Sequence, residues 1–398
     1  MNSQAISIGR CSDISSPGRY YLFSRCSIVA RLVLAVGFVA IFAFGCNNAP
    51  PARSEVLADL ADQVIIPAYG QFELDAKALH SSVVDLCASP NEELLSQARQ
   101  TLKKTRNSWS HLEAMWVGPA MGRRSWAVVR WPVAVDEIEQ LIADEAVVLD
   151  FDRFANRVGA DQRGLGAVEY LLHHSSRTVD KAEGADTAKT NASEVDGEPT
   201  VFADPRRCEY LLQITDVIQQ EAIWLIDAWL ESYDNGPAYK SQFSTAGSES
   251  LDSLVNDSLF LLEAITDLEL GVALGVMGRE ANVEVIDEGL SGAGVEDLLH
   301  RLASAMIVLV GDDDTFTRGL SPLLEDDLAA RLRNSFVYAK TVINGLEPPL
   351  RQAVINTPAA VKAVREAIKD IQILLATEVV GYLGVQIGFS DADGDSSG

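Results

Sequence analysis

From Ser54 to the C-terminal tail, apolar residues return at alternating intervals of three and four, and no strand pair with hairpin chemistry interrupts them. This spacing lays a stripe along one face of a helix, and such a stripe has to be buried against another element. Tyr69, Phe72, Ala76, Leu79, Val83 and Leu86 form the first stripe, which Pro67 starts or kinks and Ala88-Ser89-Pro90 ends. Leu95, Ala98, Leu102, Trp109, Leu112 and Trp116 form the second, stopped by Gly118-Pro119. A third follows Pro132 with Val135, Ile138 and Ile142, and a long helix is expected from Arg206 to Tyr233. Asp234 to Gly247, DNGPAYKSQFSTAG, reads as a linker. Beyond it the pattern restarts with Leu251, Leu254, Ser258, Leu261, Ile265 and Leu268, then Val295, Leu298, Leu302, Met306 and Leu309. Ser321-Pro322 should open a helix to about Asn344, and Thr357-Pro358 the last one. That last stripe holds Val361, Val364, Ile368, Ile371, Leu375, Tyr382 and Val385, and its phase takes in Glu378. The sequence therefore predicts an all-α fold of two helical bundles, 55–233 and 248–395, with a disordered surface insertion near 179–200.

Residues 1–45 read as an export signal. Arg25 and Arg31 precede the apolar run Leu32 to Phe44, then Gly45-Cys46 and the polar stretch NNAPPARSE follow. The run is short for a membrane span. Cys46 after Gly45 resembles a lipoprotein box, with a simple signal peptide or an anchor helix as alternatives, and 46–54 is then a lipidated linker. Asn47 carries no acidic retention signal, so the expected destination is the outer membrane, facing the periplasm. With Cys11 and Cys26 removed and Cys46 lipidated, only Cys87 and Cys208 remain. A disulfide between them is the natural reading in an oxidising compartment, and two separate buried thiols are the alternative. Net charge is −25, from 57 acidic and 32 basic residues, which argues against nucleic acid as a partner.

The chemistry concentrates in Arg163 to Leu172, RGLGAVEYLL. Gly164 and Gly166 interrupt an apolar helical pattern, and each costs up to about 1 kcal/mol relative to Ala. Something is expected to approach the backbone closely there. Glu169 stands among Leu165, Val168, Leu171 and Leu172, so it must be paired, hydrogen-bonded, metal-bound or protonated. An arginine partner within the core is the plainest solution. His173 shares the Glu169 face, and Glu378 poses the same problem in the last helix. The tail alternates Asp391, Asp393 and Asp395, which suits a hard cation or simply solvates the end. HExxH, GxSxG, P-loop and dinucleotide fingerprints do not occur.

These segments resemble the imelysin-like family of bacterial envelope proteins. The family motif GxHxxE is met at Gly164 and Glu169, with Gly166 in the histidine place. Trp131-Pro132 is similar to the family's Arg-x-x-Phe-Trp-Pro segment, with Ala127 and Arg130 in the Arg and Phe places. The openings IIPAYGQFELDAKAL and NSWSHLEAMWVGP, the helix from Arg206 and the ending GFSDADGD are similar as well. The resemblance runs from about Ala58 to Asp395 and implies two bundles with a site between them, a role in iron uptake and metal binding. Glu169, Glu378, Asp391, Asp393 and Asp395 become candidate oxygen ligands for iron or another hard divalent or trivalent cation, with Glu169 and Glu378 meeting at one pocket. The implied partners are a metal ion or metal-containing ligand, the membrane through a lipid anchor, and other iron-uptake envelope proteins. A peptidase-like hydrolase, which needs a metal-activated water, and a structural or partner-binding module with a degenerate site are the competing readings.

Overall fold

The structure, a computed structural model, describes residues 51–173, 198–276, 278, 280–287, 291–312 and 315–388. The signal segment, Cys46, most of the insertion, and Asp391, Asp393 and Asp395 lie outside the described residues. Regular structure among the described residues is helical, with no strand.

Helix α1 (Arg53–Leu60) continues through a π turn, Ala61–Ile65, into α2 (Ile66–Ala88). Pro67 falls just after that wide turn, where the missing N–H and the ring cost the ladder least. All six residues of the expected first stripe are buried on α2. Asn91 caps α3 (Glu92–Ser110) by accepting from the Leu94 N–H at 3.0 Å. Shorter helices α4 (Val135–Ala143) and α5 (Leu165–His173) follow, then α6 (Pro205–Leu230). Helix α2 packs along both α3 and α6, and a Cys87–Cys208 disulfide fastens the end of α2 to the start of α6. Arg206 reaches from the first turn of α6 to the C-terminal end of α4. Its guanidinium donates to the Leu141, Ile142, Asp144 and Val147 carbonyls at 2.8–3.1 Å.

The second set contains α7 (Ser248–Glu263), α8 (Gly294–Leu309), α9 (Asp326–Ile343) and α10 (Pro358–Leu374). Helices α9 and α10 pair, while α7 packs on α8 and α10. Two more π turns, Ala264–Glu269 and Leu375–Val379, extend α7 and α10. Each inserts a residue and moves the buried stripe further along the sequence. Leu268 and Tyr382, expected inside, are 43% and 49% exposed, while Leu270 and Leu383 take the buried places. Glu378 moves outward for the same reason, and Val379 is buried instead. Pro322 opens only a 3-10 turn, Ser321–Leu323, because the chain turns extended at Leu324 before α9 begins.

The expected linker is ordered structure. It contains a short helix, Tyr239–Thr245, with Phe243 buried and the Tyr239 ring centred 5.0 Å from that of Trp229. From Pro51 onward the chain forms one compact unit, and the buried residues of both helix sets belong to one core. The turn Glu113–Met115 packs on α7 and α8, and α3 packs on α8. This seam between the two sets is where the charged side chains gather.

Candidate functional site

Helix α3 brings Arg99, Lys103 and Arg106 to one face through spacings of four and three. Arg106 is buried at the centre of the seam. One terminal nitrogen donates to Glu169 Oε2 at 2.8 Å, and the other to Asp297 Oδ2 at 2.7 Å and Asp287 Oδ1 at 3.2 Å. Glu169 comes from α5, Asp297 from α8, and Asp287 from the loop before α8. The second oxygen of Glu169 accepts from the Ser291 N–H at 2.9 Å. Burial pushes the Glu169 carboxyl upward, against the pull of Arg106 and Ser291. Burial also works against the Arg106 charge, but Asp287, Glu169 and Asp297 outweigh it and hold the guanidinium firmly charged.

A second node lies further along the seam. Arg301 of α8 donates to Glu113 at 2.9 Å and to Glu269 at 2.5 Å. Asp257 of α7 accepts from the Trp116 N–H at 2.8 Å. Burial lifts Glu113 to about 7, with Arg301 pulling the other way, and lifts Asp257 to about 8, with Trp116 pulling the other way. Glu269 is raised by burial too. The seam thus sets two arginines, Arg106 and Arg301, against Glu113, Glu169, Asp257, Glu269, Asp287 and Asp297. Protons on Glu113 and Asp257 relieve part of that excess. On the flank, Glu296 accepts from Asn107 at 2.8 Å and pairs with Lys103 at 2.6 Å.

The glycines of the RGLGAVEYLL stretch serve close packing. A Cβ on Gly164 would lie 2.5 Å from the Val128 carbonyl oxygen, and one on Gly166 would lie 2.8 Å from Val133 Cγ2. The approaching segment is the one that carries Trp131-Pro132, joined by a cis peptide bond. Trp131 Nε1 donates to the Glu284 carbonyl at 2.7 Å, and the Arg351 guanidinium sits 5.1 Å from its ring, so this tryptophan bridges to the second helix set.

Of the expected ligands, Glu169 is at the seam and Glu378 is not. Glu378 is exposed and holds Arg331 through both oxygens, at 2.9 and 2.5 Å. The two carboxylates have different arginines and share no pocket. The crevice at Glu169 is lined by Arg99, Lys103, Arg106, His173 and Ser291, and its volume of about 20 Å³ holds little more than one water. A metal fits poorly there. Both Glu169 oxygens are engaged, Gly166 supplies no imidazole, and no group of three or more His, Cys, Asp or Glu among the described residues is arranged to hold one.

Fold and seam together define an all-helical protein whose two helix sets are clasped by a buried ion network. The Imelysin family model matches residues 65–377, and the chain belongs to that family. Similar solved structures include a protein from Parabacteroides distasonis named as an iron-regulated protein A precursor, at 18% identity and TM-score 0.64, covering 85% of this chain and 96% of that one. An imelysin-like protein from Psychrobacter arcticum is similar at 16% identity and TM-score 0.59, covering 85% and 97%. At such identities the likeness is one of fold. No curated protein matches the chain.

Proposed function

We propose that this chain is an envelope lipoprotein of iron uptake that binds an anionic iron complex at the mouth of the seam and does not ligate a bare ion through Glu169. The observation that carries the reading is the state of the motif carboxylate. Glu169 is fully engaged by Arg106 and the Ser291 N–H, so its role is to lock the two helix sets together. Arg99 and Lys103 stand beside it, with Lys103 exposed at the crevice, and cations there suit the oxygens of a chelate. Family membership and the iron-regulated name of a structural neighbour support the link to iron. Attachment through Cys46 rests on the signal-like sequence before it.

Equilibrium dialysis of the mature chain tests the reading, with ferric citrate in one arm and ferrous ion in the other. Saturable uptake of the chelate, weakened about ten-fold by Lys103→Glu, is the expected result. Retention of the bare ion with no uptake of the chelate overturns it. Cleavage of a mixed peptide library that is lost in Glu169→Gln would establish the hydrolase instead. Palmitate labelling that survives Cys46→Ser would refute the anchor.

A further inference from the structure

Phe316 is the most exposed large apolar side chain among the described residues, 88% open to solvent, and its backbone sits at φ 57°. A bulky residue is strained in that left-handed region, which glycine or asparagine occupies more readily. The loop around it holds the ring out. Asp312 and Thr317 exchange backbone hydrogen bonds at 3.2 and 3.0 Å, and the Asp312 N–H also donates to Thr317 Oγ1 at 3.0 Å. Gly311 closes the neck, where a Cβ would lie 2.2 Å from the Thr317 carbonyl oxygen. A strained aromatic ring, held in water by a closed neck, points to a contact made outside the fold.

The place of the loop selects the occupant. After Gly319 the chain runs into Ser321–Leu323, which packs on α1. Helices α9 and α10 run antiparallel, with Arg331 early in α9 paired to Glu378 in the turn that extends α10. The start of α9 and the end of that extension therefore lie at one end of the molecule. Arg53, the first residue of α1, joins them there by donating to the Leu383 carbonyl at 2.5 Å. Tyr382 and Ile387 are exposed at the same end. Ile387 stands between two pinned neighbours, since Asn256 of α7 donates to the Gln386 carbonyl at 2.8 Å and accepts from the Gly388 N–H at 2.9 Å. Cys46 precedes Arg53 by seven residues, a reach of at most about 25 Å. A lipid on Cys46 would therefore keep this end close to a bilayer. Phe and Tyr rings favour the boundary between headgroups and acyl chains, and Arg53 and Arg318 can meet phosphates there. With a net charge of −25 the chain is repelled by anionic headgroups, which leaves zwitterionic ones.

We infer that this end of the molecule docks on a zwitterionic phospholipid surface, with Phe316 as the inserted ring and Tyr382 and Ile387 beside it. The inference rests on attachment through Cys46, so the test supplies that attachment chemically. In the mature chain the Cys87–Cys208 bond leaves Cys46 as the one thiol, and it can be coupled to maleimide-phosphatidylethanolamine in vesicles of brominated phosphatidylcholine. A short tether of this kind gives an effective concentration on the order of millimolar. Phe316→Trp reports the contact. Against the coupled wild type, the emission of the added indole should be blue-shifted and quenched by bromine, while the uncoupled chain shows neither change. Ile387→Trp is a second reporter, and adding Phe316→Ser to it should weaken docking about ten-fold. Exchanging half of the phosphatidylcholine for phosphatidylglycerol should weaken it too. An added indole that stays in water on the coupled chain overturns the assignment and turns Phe316 over to a protein partner. Quenching of the second reporter that ignores Phe316→Ser overturns it as well. Palmitate labelling in the cell reads the anchor independently, so labelling without docking sinks this inference alone.

Discussion

Without its guanidinium, Arg106 would leave Glu169, Asp287 and Asp297 facing one another with no cation among them. Breaking a buried pair from one side costs about 3–5 kcal/mol, and Arg106→Met is expected to lower the unfolding free energy by that amount in guanidinium titrations. A loss under about 1 kcal/mol would mean that water reaches the seam freely. Asp257 and Glu113 give the seam a pH dependence. Both hold a proton more tightly folded than unfolded, since burial lifts Glu113 from 4.5 to about 7 and Asp257 from 3.8 to about 8. Their contribution is complete at acid pH and is lost as pH rises through those values. Stability should fall from about pH 4, where the unfolded groups begin to ionise, to about pH 8, and Asp257→Asn should flatten the upper part of the fall. A rise over that window in the wild type contradicts the account. At this scale the sequence was only half legible. An arginine for Glu169 was foreseeable, but not which one. The clue was a gap in the α3 stripe between Leu102 and Trp109, where the buried residues are Thr105 and Arg106. A charge on an apolar face is a partner in waiting, and its partners lay more than 60 residues away in sequence.

Helices whose apolar period is unbroken were readable to within a few residues, as α2 and α3 show. Reading failed where a π turn intervened, because one inserted residue rotates everything after it by about 100°. Glu378 was placed inside on that account, and its exposed pair with Arg331 is the consequence. The glycine helix was read correctly as a site of close approach, although the approaching segment could not be named. Gly164→Ala would set a Cβ 2.5 Å from a carbonyl oxygen that cannot swing aside. Its expected cost is about 1–3 kcal/mol, in spite of the better helix propensity of alanine. A stabilised Gly164→Ala protein in thermal melts would rule out the tight packing. The Cys87–Cys208 bond closes a separation of 121 residues, and the paired Cys→Ser variant should lose about 2–5 kcal/mol in a denaturant series.

At the scale of the whole molecule, the two helix sets share a core, an ordered connecting helix and the ion network of the seam. They are expected to unfold together, with one calorimetric transition whose van't Hoff and calorimetric enthalpies agree. Two resolved transitions would show that the sets are separate folding units. The division at residues 234–247 was drawn from composition, and composition could not show that Tyr239 and Phe243 pack against Trp229.

Arg206 carries a consequence for motion. At the end of α4 the Asp144 N–H caps the Gln140 carbonyl, while the Leu141 and Ile142 carbonyls take the guanidinium that arrives from the first turn of α6, so neither terminus can fray alone. Peeling the last turn of α4 strips Arg206 of its acceptors, and loosening the first turn of α6 uncovers the carbonyls of α4. In native-state hydrogen exchange the amides on both sides should open as one unit, with one free energy. Arg206→Lys, which cannot span four carbonyls, should split them into two.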